Sequence, residues 1–256
     1  MFFVGSLDFF AFVFKCRKAT GKETMNQQLA STGWILLTTM LLVLAFVPFD
    51  PHLSELARSL PDEIVDFNRT ITDFGTFAWM VYTSAILLLI AFIVRRASRR
   101  DTVRQRARTA RNLSAYFLLT VGTSSMLVHG LKFVIGRARP ELFTDYGAYS
   151  LTPFTGDRLF ESFPSGHSTA AGAFFGAFAM LKPELRPLFL ILALMIGASR
   201  VVVGAHYPSD VAAGLLLGLW VAMMYAFLFV RQDWLFRIDA GGWPAPKTAS
   251  PPPELK

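Results

Sequence analysis

Cysteine is nearly absent: Cys16 stands alone among 256 residues, so no internal disulfide can form. Lys15 precedes it where a lipoprotein attachment site would carry a small residue, which argues against lipid attachment there. Histidine is almost as scarce, at four residues, and no two histidines are paired as a zinc site would require. Carboxylates are not clustered as magnesium binding demands. Charged residues supply only 17% of the chain against 53% apolar, a balance outside that of ordinary soluble domains. The net charge of +7 could suit nucleic acid, but the cations lie between apolar runs and not over a polar domain, which excludes that class. No internal repeat is present.

What the chain does have is long apolar runs. A helix crossing lipid needs about 20 mostly apolar residues, because every backbone amide must bond within its own segment. Six stretches meet this, at about 33–49, 75–94, 113–135, 168–181, 188–203 and 211–230. The fold expected is therefore all-α: an integral membrane bundle of six transmembrane helices with an amphipathic outer segment. The fourth and fifth runs are short and are expected to extend into their flanks, where small residues permit it.

The loop 95–111 carries eight arginines against one acid, Asp101, and short basic loops stay in the cytoplasm. With six spans this puts both termini inside. The opposite side receives 50–73, with six acids and two arginines, and the long connection 140–164. In the first of these, Leu53, Leu56, Leu60, Ile64, Phe67 and Ile71 recur at helical spacing, interrupted by Pro61. They form either a helix lying on the membrane surface or a connector packed on the bundle. Residues 1–24 are expected to be a flexible N-terminal extension and not a signal peptide, with Met25 an alternative start. The membrane domain is expected over 25–238 and a disordered tail, rich in proline and glycine, over 239–256.

Charges at a span are expensive, about 2.5–3.5 kcal/mol each at a helix centre, so their position is informative. Lys132, Arg139, Arg200, His167, His206 and Asp210 all fall at the outer ends of spans. Lys132 and Arg139 are seven residues apart, two turns on one face of a helix that Pro140 would end, which suits an anion. Lysine and arginine at a span's end also snorkel to the interface without further role, and Arg137 is assigned to that class. Ser165 is a natural N-cap, and the amides beyond it, with Gly166 allowing close approach, make a phosphate cradle. His167 can donate a proton to a leaving oxygen. Asp210, four residues beyond His206, can hold the Nδ1 proton and make the other nitrogen nucleophilic toward phosphorus. A histidine at an interface can equally be a packing residue, and His52 and His129 are left in that class.

Three motifs then line up in order: Lys132 with six residues to Arg139-Pro140, Pro164-Ser165-Gly166-His167, and Ser199-Arg200 with five residues to His206 and three to Asp210. The chain resembles the type-two phosphatidic acid phosphatase and vanadium haloperoxidase superfamily, in its bacterial membrane lipid phosphatase branch. The resemblance implies that His206 attacks phosphorus to form a phosphohistidine, oriented by Asp210, while His167 protonates the departing oxygen. It implies that Lys132, Arg139, Ser165, Gly166 and Arg200 hold the phosphate, with no metal and no other cofactor. The substrate would be a phosphorylated membrane lipid: undecaprenyl diphosphate, phosphatidylglycerophosphate, phosphatidic acid or a lipid A phosphate. The site would face the periplasm or exterior of a bacterial inner membrane. Two alternatives stay open, phosphate transfer from lipid to lipid through the same intermediate, and a transporter using intramembrane charge. No protein partner is indicated.

Overall fold

A computed structural model describes residues 37–239 and 242–247. The expected extension 1–24, the onset of the first span at 33 and the end of the chain beyond 247 lie outside the described residues. Helix α1, Leu37–Arg58, tightens to a 3-10 turn at Val47–Phe49 and resumes as Asp50–Arg58. It is followed by α2, Asp62–Asp73, α3, Phe77–Ala97, α4, Asp101–Ile135, α5, Gly166–Leu181, α6, Arg186–Val202, and α7, Pro208–Arg231. Two short strands, β1, Phe236–Ile238, and β2, Pro244–Pro246, pair antiparallel at the end. Five helical stretches are long and apolar enough to cross a membrane. Helix α5 lies between α6 and α7 on one side and α4 on the other, making the sixth member of a multi-pass membrane bundle.

Local chemistry explains most of the boundaries. Pro61 has no amide to donate, so α1 stops before it and α2 starts after it. The amphipathic outer segment is thus two helices, α1's outer part and α2, both packed against α6. Its apolar stripe is divided: Leu56, Ile64 and Phe67 are exposed, while Leu53, Leu60 and Ile71 are partly covered. Three expectations need correction. The basic segment 95–111 is not a loop, because Asp101 opens α4 and the arginines from Arg104 onward ride on its first turns. Arginine is a good helix former and needs no apolar neighbour for that. The helix bearing Lys132 does not run on to Arg139 but ends at Ile135, where Gly136 takes a left-handed conformation (φ +63°). A Cβ there would lie 2.0 Å from the Thr152 carbonyl, so only glycine fits. The fourth span gains only two residues and stays at 16.

The contact between α5 and α7 is the densest in the bundle, and its cause is a run of glycines. Gly172 and Gly176 on α5 pack against Leu215, Leu219 and Ala222 of α7, and Gly214 and Gly218 on α7 pack against Ser165, Thr169 and Ala173 of α5. A Cβ on Gly218 would sit 2.2 Å from the Thr169 carbonyl, and one on Gly172 2.2 Å from that of Leu215. Small residues four apart let two backbones approach this closely, which is how helices associate where lipid removes the hydrophobic drive. At the end remote from the site, Tyr116, Phe117, Phe229 and Phe236 form an aromatic core with Ala177, Ala222 and Ala226. Residues 236–239 and 242–247 are folded: Phe236 is buried against Tyr116 at 5.1 Å, and Lys247 bonds Asp233 at 2.6 Å, so the described part of the tail is ordered where 239–256 was expected to be disordered.

Candidate active site

The site is built where the C-terminal ends of α4 and α6 and the N-terminal ends of α5 and α7 meet the connection 136–165. That connection folds back on itself: Ala138 donates to Ser150, and Thr152 to Gly136, along one side of 136–139. On the other side Arg139 donates to Leu159 and Ser162 to Arg137. Held on both sides, residues 137–139 run over the ends of the helices.

Ser165 caps α5 as its residue type predicts, its hydroxyl accepting from the Ser168 amide at 3.4 Å and the Ser168 hydroxyl at 2.9 Å. The Ser165 amide in turn donates to the Asp210 carbonyl at 3.0 Å, which ties the start of α5 to the first turn of α7. Lys132 is buried, its ammonium donates to the Glu161 carbonyl, and its Cε lies 3.8 Å from where a Cβ on Gly166 would be. A Cβ on Gly75, between α2 and α3, would be 3.3 Å from the His167 Cβ, so the α2–α3 corner walls that histidine. Arg200, at the end of α6, donates to the Thr72 hydroxyl at 2.9 Å while its Nε is buried without a partner. Arg139 donates through Nε to the Arg158 carbonyl at 2.9 Å. Lys132, Arg139 and Arg200 are all electrostatic neighbours of His167.

His206 lies in the turn between α6 and α7, 3% exposed, its amide bonded to the Arg200 carbonyl at 3.2 Å. Its Nδ1 is 3.6 Å from Asp210 Oδ2 and has no hydrogen-bond partner. Burial, with Lys132 and Arg139 adding to it, pushes the imidazole down to about 3 against the opposing pull of Asp210, so it is unprotonated at neutral pH. A buried imidazole with a carboxylate on its Nδ1 side and cations nearby is equipped to attack an anionic phosphorus. Burial and the neighbouring Arg158 lower the pKa of Arg139, which remains a cation. Three cations on separate segments, two histidines and one helix N-terminus can together bind, attack and neutralise a phosphate group.

All eight residues singled out from the sequence thus fall at one end of the bundle: His206, His167, Asp210, Lys132, Arg139, Ser165, Gly166 and Arg200. Two others were not anticipated. Arg137, assigned to interface snorkelling, is buried and bonds Asp210 Oδ1 at 2.5 Å and Asp50 Oδ2 at 2.8 Å. Asp50 is fully buried although it follows the first apolar run and reads as an interfacial acid. The αL glycine at 136 was the signal that Arg137 leaves the helix and turns inward.

The PAP2 superfamily pattern matches residues 113–234. The lipid A 1-phosphatase of Rhizobium johnstonii is 42% identical over 83% of this chain and 86% of its own length. That of Rhizobium etli is 39% identical over 85% of this chain and 93% of its own length. Among solved structures, a transmembrane PAP2-type phosphatidylglycerolphosphate phosphatase from Bacillus subtilis superposes with a TM-score of 0.52 at 21% identity, covering 77% of this chain and 94% of that one. Motifs, bundle and relatives agree, and the chain belongs to the PAP2 superfamily.

Proposed function

We propose that the protein is a membrane lipid phosphatase that releases inorganic phosphate through a phosphohistidine on His206, with a lipid A 1-phosphate as its leading substrate. The observation that carries the chemistry is the buried His206, its Nδ1 3.6 Å from the Asp210 carboxylate, with Lys132 and Arg139 as charged neighbours. The choice of lipid leans on the two Rhizobium relatives, each matching more than four fifths of the chain.

In the first step the Nε2 lone pair of His206 bonds to phosphorus as the bond to the lipid oxygen breaks, and His167, which takes up a proton when the phosphate dianion offsets the neighbouring cations, gives that proton to the oxygen. Asp210 receives the Nδ1 proton in a hydrogen bond and stabilises the charged ring. In the second step His167, now neutral, takes a proton from water, the hydroxyl bonds to phosphorus, and the phosphorus–nitrogen bond breaks. Lys132, Arg139 and Arg200, with the Ser165 hydroxyl and the Gly166 amide, hold the non-bridging oxygens throughout. Positioning and charge neutralisation by such groups supply most of the rate in phosphoryl transfer. The site opens away from the cytoplasm of a bacterial inner membrane with both termini inside. Support for this sidedness is that the arginines of 95–111 gather at the opposite end of the bundle. The catalytic unit spans 25–238, with 242–247 packed onto it.

The test is phosphate release by purified protein in a chelator from lipid A 1-phosphate, undecaprenyl diphosphate, phosphatidylglycerophosphate and phosphatidic acid. Release from the first, lost in His206→Ala, is the expected result. Activity surviving in that variant overturns the nucleophile, and label appearing on an added acceptor lipid in place of free phosphate makes the protein a phosphotransferase.

A further inference from the structure

Among the described residues only two carboxylates are buried, Asp50 and Asp210, and one guanidinium stands between them. Arg137 uses all five of its donors: Nη1 to Asp210 Oδ1 at 2.5 Å and to the Ser209 hydroxyl at 2.7 Å, Nη2 to Asp50 Oδ2 at 2.8 Å, and Nη2 and Nε to the Ala148 carbonyl at 2.7 and 3.1 Å. Asp50 closes the ring, accepting from the Ser209 hydroxyl at 2.6 Å and the Ser209 amide at 2.9 Å. The Tyr207 ring covers the guanidinium at 4.4 Å. Burial works against the charge of Arg137, but the Asp210 and Asp50 carboxylates outweigh it and raise its pKa.

Two anions and one cation withdrawn from water cost more than well-packed apolar side chains of the same volume, so packing alone gives no reason for them. A reason lies at Asp210. With Oδ1 taken by Arg137, its Oδ2 accepts from the Ser162 hydroxyl at 2.6 Å and the Tyr207 amide at 3.0 Å, and this same oxygen faces His206 Nδ1. Asp50 fixes Arg137, Arg137 fixes Asp210, and Asp210 selects the imidazole tautomer that leaves Nε2 free for attack. Asp50 lies outside residues 113–234, in the second half of α1, so the first helix contributes to a site whose catalytic side chains stand on the last four helices and their connections.

We infer that Asp50 and Arg137 are positioning residues for phosphoryl transfer, acting on His206 through Asp210. The inference rests on His206 being the nucleophile, and two readouts keep the two claims apart. In the kinetic one, Asp50→Asn lowers kcat about 10- to 100-fold, the range that loss of an outer-shell partner costs at metal-bound histidines, with KM unchanged because the phosphate-binding cations are untouched. In an Asp210→Asn background the same substitution has no further effect, since the group it acts through is gone. Arg137→Lys, which cannot span both carboxylates, falls between wild type and Arg137→Gln. In the second readout, nitrogen NMR of the His206 ring finds the proton on Nδ1 in wild type and a mixture of tautomers in Asp50→Asn, whether or not any lipid is turned over. An equal loss of kcat in both backgrounds, or a rise in KM alone, overturns the inference, as does an unchanged tautomer in Asp50→Asn. A wild-type protein with the Nδ1 tautomer and no phosphatase activity would instead sink the functional reading and leave the positioning intact.

Discussion

Gly218→Ala tests whether the packing of α5 on α7 sets the geometry of the chemistry. The added Cβ would meet the Thr169 carbonyl at 2.2 Å and the Ala173 amide nitrogen at 2.3 Å. Both are backbone atoms in helices and cannot swing aside. An ordinary contact is at least 3.4 Å, so the two helices must part by about 1 Å at this level. Overpacking of this kind costs about 1–3 kcal/mol. The larger effect is on the site, because Gly218 lies about 12 Å along α7 from Asp210, while the opposite wall, Ser165 to His167, begins α5. A displacement of about 1 Å between catalytic groups can cost about 100-fold in rate. Phosphate release in detergent, with residual activity after heating as the stability measure, should show kcat down at least tenfold and inactivation at lower temperature. Gly130→Ala is the control: nothing lies within 4 Å of its Cβ, and it should leave kcat unchanged. If Gly218→Ala keeps kcat within twofold of wild type, the tight crossing is not what positions the site.

Further outcomes follow from the same geometry. Rapid quenching of the enzyme with labelled substrate should trap phosphate on protein in an acid-labile, base-stable form, absent from His206→Ala; label stable to acid would point to another nucleophile. His206 is held near 3 when folded against 6.5 when free, so below about pH 6.5 the unfolded chain binds a proton the folded one refuses. Stability contributed by the neutral ring is present above that pH and is lost as pH falls toward about 3. Inactivation temperature should therefore drop between pH 7 and 5 in wild type and drop less in His206→Asn. Phe236→Ala removes a buried ring from the aromatic core remote from the site and should cost about 3 kcal/mol with kcat unchanged, which heat inactivation and phosphate release together measure.

The spans were legible because lipid imposes a length of apolar chain that few other structures need, and the site was legible because its charges sit where charge is costly. What escaped was set by local backbone chemistry and long-range pairing. Helical spacing put Lys132 and Arg139 on one face, but the left-handed turn at Gly136 ended the helix first and sent Arg137, not Arg139, into the interior. Nothing in sequence spacing links Asp50 to Ser209, 159 residues away. The first turns of α4 carry no apolar period, only arginines, alanines and a glutamine of good helix propensity among weaker formers, and so read as a loop. The β hairpin was hidden by proline and glycine, whose composition suggests disorder although Phe236 anchors it.

Helix α5 has a consequence beyond its role as a wall. Its 16 residues reach about 24 Å, some 6 Å less than the hydrocarbon thickness of a bilayer. Strand β2 packs against α5, and Phe236 sits among Tyr116, Phe229 and Ala177. The short span is thereby backed, at the end away from His167, by packed aromatic rings in place of further helical turns.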